Sequence, residues 1–216
     1  MCKLLYIGQD PINGTYHVKH SMNIYKNRKG EYTMKKIILL GDSIRLGYGP
    51  RVCELLGEDY TVWQPDDNCR FAAYTLRMLF DYREQLKDAD VIHFNCGLWD
   101  MCDLFGDGPF TSLEAYTEQM VRIAKILKTY APVVIFATTT PPSPKMWGHD
   151  LNRVRAYNTA AAAAMQPLGI LVDDLFTPVA EDIDRMICED YLHATPYGYE
   201  ILANQVADII RKAAEA

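Results

Sequence analysis

Short apolar runs recur along this chain, and the stretches between them space their apolar residues at helical rather than alternating intervals. The runs are Ile37–Leu40, Tyr60–Trp63, Val91–Phe94, Val133–Ala137 and Ile170–Val172, and helices are predicted near 48–56, 72–87, 112–129, 152–166 and 196–213. Strands apolar at consecutive positions must be covered on both faces, so this alternation predicts an α/β fold: a three-layer α/β/α sandwich around a central parallel five-stranded sheet with right-handed crossovers. Two helix starts are marked by capping chemistry. Ser112 or Thr111 can cap the third helix, and Thr195-Pro196 places a cap and a first-turn proline before the last one. The run Ala160–Ala164 suits either a close approach of helix to sheet or a surface helix of high propensity.

Residues 1–33 break this pattern. They are polar and basic, punctuated by Gly8, Pro11, Gly14 and Gly30, with one short apolar run from Leu4 to Ile7. This segment is predicted to be an N-terminal appendage that packs as one strand or remains mobile, and residues 34–216 to form the single compact domain. A chain of 216 residues, 49% hydrophobic, is long enough for one sizeable core.

Charge and cysteine content narrow the function classes. The net charge is -6, while residues 1–33 hold five basic and two acidic residues, so the remainder carries -9. That acidity opposes a phosphate backbone, and nucleic-acid binding is not expected. The six cysteines, at 2, 53, 69, 96, 102 and 188, form no C-x-x-C pair. They are read as free thiols in a reducing cytoplasm, with neither a disulfide scaffold nor a zinc ribbon. No secretion signal of standard form and no run approaching 18 apolar residues is present, so no membrane partner is expected.

Open α/β sheets bind ligands at the carboxyl ends of their strands, which directs attention to Gly41-Asp42-Ser43-Ile44 after the first run. A phosphate-binding loop is excluded there, because position 52 is valine where G-x-G-x-x-G needs glycine and no G-K-[ST] follows. A serine at a strand-to-helix turn is left, and a serine hydroxyl becomes a good nucleophile only beside a base held by an acid. Of the five histidines, His93 sits inside a strand and reads as a packed side chain. His149 lies in a Pro-rich loop with only Asp150 near, and His17 and His20 have spacing too weak for a metal site. His193 follows Asp190 by three residues and directly precedes the capped last helix. That turn lets the carboxylate reach one ring nitrogen while the other faces outward. No cofactor motif and no metal-ligand spacing accompany these residues.

With GDSI at 41–44 and DYLH at 190–193 at opposite ends of an alternating α/β chain, the sequence resembles the SGNH hydrolases, also called the GDSL esterase and lipase family. The resemblance covers about residues 35–213 and includes RVRAYNTA at 153–160, GILVDDLF at 169–176 and HATPYGYEILA at 193–203. It implies a flavodoxin-like domain in which Ser43 attacks an ester carbonyl, with His193 as base and Asp190 orienting it. It also implies an oxyanion hole built from the Ser43 backbone N–H, a glycine N–H and an asparagine side chain. The glycine position matches Ala73, whose N–H is retained. The G-x-N-D block reads Gly97-Leu98-Trp99-Asp100, with tryptophan in place of asparagine, so the third donor is Trp99, Asn95 or absent.

Asp42, Asn68, Arg70, Trp99 and Trp147 are the candidate cleft residues, with Phe71, Tyr74, Met101 and Phe105 adding flat or apolar surface. The partner implied is a small acylated substrate, and short acyl groups such as O-acetyl on carbohydrate lead the candidates. Two alternatives remain open: a non-catalytic carbohydrate-binding or interaction protein on the same scaffold, and an acyltransferase using the same triad. Oligomeric state cannot be read from these residues.

Overall fold

The computed structural model describes residues 2–4, 7–9, 16–18, 22–26 and 32–215, with side chains from Met34 onward. The first 33 residues contain five short strands: β1 (Cys2–Leu4), β2 (Ile7–Gln9), β3 (Tyr16–Val18), β4 (Met22–Lys26) and β5 (Tyr32–Thr33). They pair as an antiparallel sheet β1-β4-β5 and a two-stranded β2-β3. The sequence pattern allows one strand or a mobile segment here; the described residues hold several short strands. Short antiparallel pairs need little apolar content, which hides them from a search for hydrophobic runs. His20 lies outside the described residues, and the side chain of His17 is not described.

The central sheet consists of β6 (Lys35–Leu40), β7 (Tyr60–Trp63), β8 (Val91–Asn95), β9 (Val133–Ala137) and β10 (Leu171–Asp173). Its order is β10-β9-β8-β6-β7, and every pairing is parallel. Alternate side chains feed two cores. Ile37, Leu39, Val91 and Ile135 pack beneath α1 (Ser43–Leu56) and α8 (Pro196–Glu215), which also carry Tyr48, Val52, Leu202 and Val206. Ile38, Leu40, Ile92, Phe94, Val134 and Phe136 face α2 (Ala72–Asp81), α4 (Leu113–Tyr130) and α5 (Leu151–Met165). A short α3 (Arg83–Leu86) follows α2. The three-layer sandwich is therefore the architecture that the alternation of runs predicts.

Helix boundaries differ in instructive places. The helix predicted near 48 begins at Ser43, because the Asp42 side chain caps it by accepting from Ile44 N–H at 3.0 Å. Gly47, Gly49 and Pro50 disguise that start in the sequence, yet the buried Tyr48 and Val52 hold the helix to the core. The helix predicted over 72–87 is broken at Tyr82, whose backbone (φ -96°, ψ 15°) leaves the helical region. Two short helices, α6 (Phe176–Glu181) and α7 (Ile183–Met186), lie where none was predicted. Helices of one or two turns carry too few residues to show a period. Ser112 caps α4 through Ala115 N–H at 3.2 Å, and Thr195 Oγ1 accepts from Gly198 N–H at 3.0 Å in the first turn of α8.

Residues 1–33 are polar and basic with one short apolar run, whereas the apolar runs of the central sheet begin at Ile37. A chain beginning at Met34 is therefore expected to melt cooperatively, within a few degrees of the full chain, by circular dichroism. A truncated chain that fails to fold would show that the segment before Met34 belongs to the core.

Candidate active site

Strand β6 ends at Leu40, and after Gly41 the chain turns at once into α1, with Asp42 as cap and Ser43 as first residue. Asp42 is fully buried, and its Oδ1 also accepts from Asn95 Nδ2 at 2.9 Å. The turn tolerates no side chain at Gly41, because a Cβ there would lie 1.8 Å from Asn95 Oδ1. Arg45, also without exposed surface, ties the elbow to the loop after β7 by donating to Gly41 O, Pro65 O and Asp67 O at 3.2, 2.8 and 2.7 Å. The first intrahelical acceptor is Asp42 O, which takes Leu46 N–H at 3.1 Å. The Ser43 N–H therefore has no acceptor within its helix.

The second half of the site is a narrow hairpin. Ile187 bridges Ala194, Cys188 N–H donates to His193 O at 2.8 Å, and Thr195 N–H donates to Met186 O at 2.8 Å. Its tip turns through Tyr191 at φ 67°, and the Tyr191 carbonyl accepts from Ser143 N–H at 2.8 Å, which braces the hairpin against the loop after β9. Inside this turn Asp190 Oδ2 lies 2.6 Å from His193 Nδ1, and His193 Nε2 lies 2.8 Å from Ser43 Oγ. Asp190 Oδ1 accepts from Leu192 N–H and His193 N–H, each at 2.9 Å, and from the Cys188 thiol at 3.1 Å. Burial opposes charge on this carboxyl, but the bonds from Leu192, Cys188 and His193 outweigh it and hold Asp190 well below the ordinary carboxylate range. A carboxylate that stays ionised fixes the proton on Nδ1 and leaves Nε2 free to accept from serine.

The loop after β8 closes a third side. Gly97 has φ 152°, and a Cβ there would stand 2.4 Å from Thr139 Oγ1, so the loop turns where a side chain would collide. Asp100 is fully buried and accepts from Ala72 N–H at 3.0 and 3.2 Å, which fixes the start of α2. The next residue, Ala73, has its N–H in the same first turn, ahead of the first intrahelical bond, which runs from Thr75 N–H to Phe71 O at 2.9 Å. Burial pushes the Asp100 carboxyl up to about 6, against bonds from Thr111, Ala72 and Cys96.

The residues singled out from sequence separate into distinct places. Ser43, His193 and Asp190 come together at hydrogen-bonding distances. Asp42 does not line a cleft: it is fully buried as the cap of α1. Asn95 is 3% exposed, and its amide is turned to Asp42 and Gly41. Asn68 Oδ1 accepts from Arg70 N–H at 2.7 Å and so holds a turn in which Arg70 has φ 52°. The Arg70 guanidinium lies exposed over the Tyr74 ring, 4.6 Å from its centroid. Trp99 and Trp147 are 46% and 66% exposed. The His149 ring links the two loops, with Nε2 3.2 Å from Leu98 O and Nδ1 3.3 Å from Trp147 O. His93 is buried within the sheet, 3.0 Å from Asp173 Oδ2.

Arg45, Cys188 and Ser143 were not singled out from sequence. An arginine in the first turn of a helix reads as a surface residue, and only the close approach of the β7 loop shows it to be buried. The Cys188 thiol and the Ser143 N–H reach the hairpin through contacts with no sequence signature.

No protein-family model matches the chain, and no curated protein does. Solved structures share its fold. A lipase/acylhydrolase from Enterococcus faecalis superposes with a TM-score of 0.66 at 18% identity, over 83% of this chain and 96% of that one. A member of the lipolytic G-D-S-L family from Veillonella parvula gives 0.65 at 20% identity, over 82% and 98%. A catalytic mutant of an acetylxylan esterase from Geobacillus stearothermophilus gives 0.67 at 16% identity, over 82% and 94%. At these identities the likeness is one of fold, and the fold is the one that the resemblance to SGNH hydrolases implied.

The raised Asp100 carboxyl has a consequence for stability. The folded protein binds a proton there more tightly than the unfolded chain, so this contribution is complete below about pH 4 and is lost as pH rises through about 6. Comparing wild type with Asp100→Asn isolates it. The wild-type unfolding free energy should fall relative to the variant with a slope of up to about 1.4 kcal/mol per pH unit in that window. Parallel curves would contradict the assignment.

Proposed function

We propose that this protein is a serine esterase that cleaves short-chain acyl esters through an acyl-enzyme intermediate on Ser43. The observation that carries the reading is the continuous line Asp190–His193–Ser43, with separations of 2.6 and 2.8 Å. The shared fold supports it, as do the printed names of those structures, which are acylhydrolases and acetylxylan esterases.

His193 Nε2 takes the Ser43 proton as Oγ attacks the carbonyl carbon, and Asp190 stabilises the imidazolium that forms. The developing oxyanion is met by the N–H groups of Ser43 and Ala73, which open α1 and α2, with the helix dipoles aiding them. The tetrahedral intermediate collapses, the alcohol leaves with the proton from Nε2, and water repeats the sequence on the acyl-enzyme. Trp99 supplies the third donor: its indole N–H has no partner among the described residues, whereas the Asn95 amide is engaged with Asp42.

The substrate is small and acylated. Trp99 and Trp147 offer exposed rings and Arg70 and Tyr74 a polar edge, a combination suited to stacking a sugar and bonding its hydroxyls. O-acetyl groups on carbohydrate are therefore the leading substrate class. Among the described residues no helix is long and apolar enough to cross a membrane, and five free thiols accord with a reducing cytoplasm. Residues 34–216 carry a net charge of -9, an acidity that disfavours nucleic acid. Transfer to an acceptor hydroxyl instead of water is the second reading, because the same intermediate serves both.

An assay of acetyl, butyryl and octanoyl esters tests the proposal. Activity should be greatest on acetyl and be lost by at least about 1000-fold in Ser43→Ala. Activity that survives this substitution would remove the mechanism. Losing one oxyanion donor typically costs ~2.7–4 kcal/mol. Trp99→Phe is therefore expected to lower kcat by at least about 10-fold without shifting the melting temperature, and an unchanged kcat would leave the hole with two backbone donors.

A further inference from the structure

The elbow beneath Ser43 contains two buried oxygen atoms that face no donor. Asp42 Oδ1 is satisfied by Ile44 N–H and Asn95 Nδ2, but Asp42 Oδ2 and Asn95 Oδ1 are both buried without a partner among the described residues. Both are acceptors, and they belong to two side chains already joined at 2.9 Å. The Asn95 oxygen is confined against Gly41, where it occupies the space a Cβ would need. The nearest permanent cation does not relieve the carboxyl. Arg45 Nη1 and Nη2 donate to Gly41 O, Pro65 O, Asp67 O and Gln64 Oε1, its buried Nε–H has no partner among the described residues, and no ion pair joins it to Asp42.

We propose that Asp42 is a neutral carboxylic acid, that its Oδ2–H is the donor to the unpartnered Asn95 Oδ1, and that Asn95 is the positioning residue that pairs with it. Carboxyl and side-chain amide then exchange a hydrogen bond in each direction, and the pair holds the elbow without a negative charge beside Ser43. The catalytic consequence rests on Ser43 being the nucleophile. An ionised carboxylate here would oppose the negative charge that develops on the substrate oxygen, and it would compete with Asp190 for influence over His193.

The surrounding charges allow this. Burial raises the Asp42 carboxyl, opposed by the bonds from Asn95 and Ile44 and by the charges of Arg45 and His193. The other titratable groups around it are Asp100, the thiols of Cys69 and Cys96, and the phenols of Tyr48, Tyr116 and Tyr199. Burial raises all of these, so the thiols and phenols stay neutral; Asp100, raised to about 6, is a second carboxyl whose ionisation opposes a charge on Asp42.

Infrared difference spectroscopy of the full chain, wild type minus Asp42→Asn, reads the proton directly. At pH 7 the difference should contain the C=O stretch of a protonated carboxyl, and Asn95→Leu should shift its frequency by removing the amide partner. A carboxylate band in its place would overturn the proposal. Asparagine at 42 presents an N–H where the acid presents its O–H, so Asp42→Asn should melt at or above the wild-type temperature at pH 8. A fall of many degrees would mean that Asp42 is ionised and balances Arg45, and would likewise overturn the proposal. If Asp42→Asn does not fold, the frequency shift in Asn95→Leu assigns the band by itself. None of these readouts depends on turnover, so a protein without esterase activity would sink the functional reading and leave this one to be judged separately.

Discussion

The contact between His193 Nε2 and Ser43 Oγ, 2.8 Å long, joins residues 150 positions apart, and the rest of the site is arranged so that neither partner can drift. Ser43 is fixed by the cap that Asp42 places on α1 and by the buried Arg45 below it. His193 is fixed by a hairpin whose register is set from Met186 to Thr195, and the Ser143–Tyr191 bond braces its tip. Parallel strands make this feasible, because all five central strands deliver their following loops to the same edge. A displacement of about 1 Å between the two halves would cost much of the catalytic effect.

Three aspartates around this contact do different work because their surroundings differ. Asp190 accepts bonds at both oxygens, several of them from N–H groups, and stays ionised. Asp100, with no exposed surface, is pushed toward neutrality while it anchors the start of α2. Asp42 is buried as completely, and burial moves it in the same direction. Asp190 is thus the carboxylate that acts directly on His193, while burial favours the proton on the other two.

The strands of the central sheet were legible because each is a consecutive apolar run, and the triad candidates because both blocks are local: G-D-S at a strand end and D-x-x-H before a capped helix. What sequence hid was contact between distant segments. Asp42 reads as a polar residue at a cleft until Asn95, arriving on β8, is seen to cover it. The start of α1 was obscured because Gly47, Gly49 and Pro50 carry poor helix propensity that tertiary packing overrides. Asn95 was a candidate oxyanion donor on proximity alone, and its actual direction depends on the shape of the Gly41 turn.

If Ser43 is a nucleophile made reactive by His193, a fluorophosphonate will label it covalently, which peptide mass spectrometry and the labelling rate in His193→Ala will show. One adduct is expected, on Ser43, forming at least about 100-fold more slowly in that variant. An adduct on another residue, or labelling of Ser43 at an unchanged rate without the imidazole, would contradict that expectation.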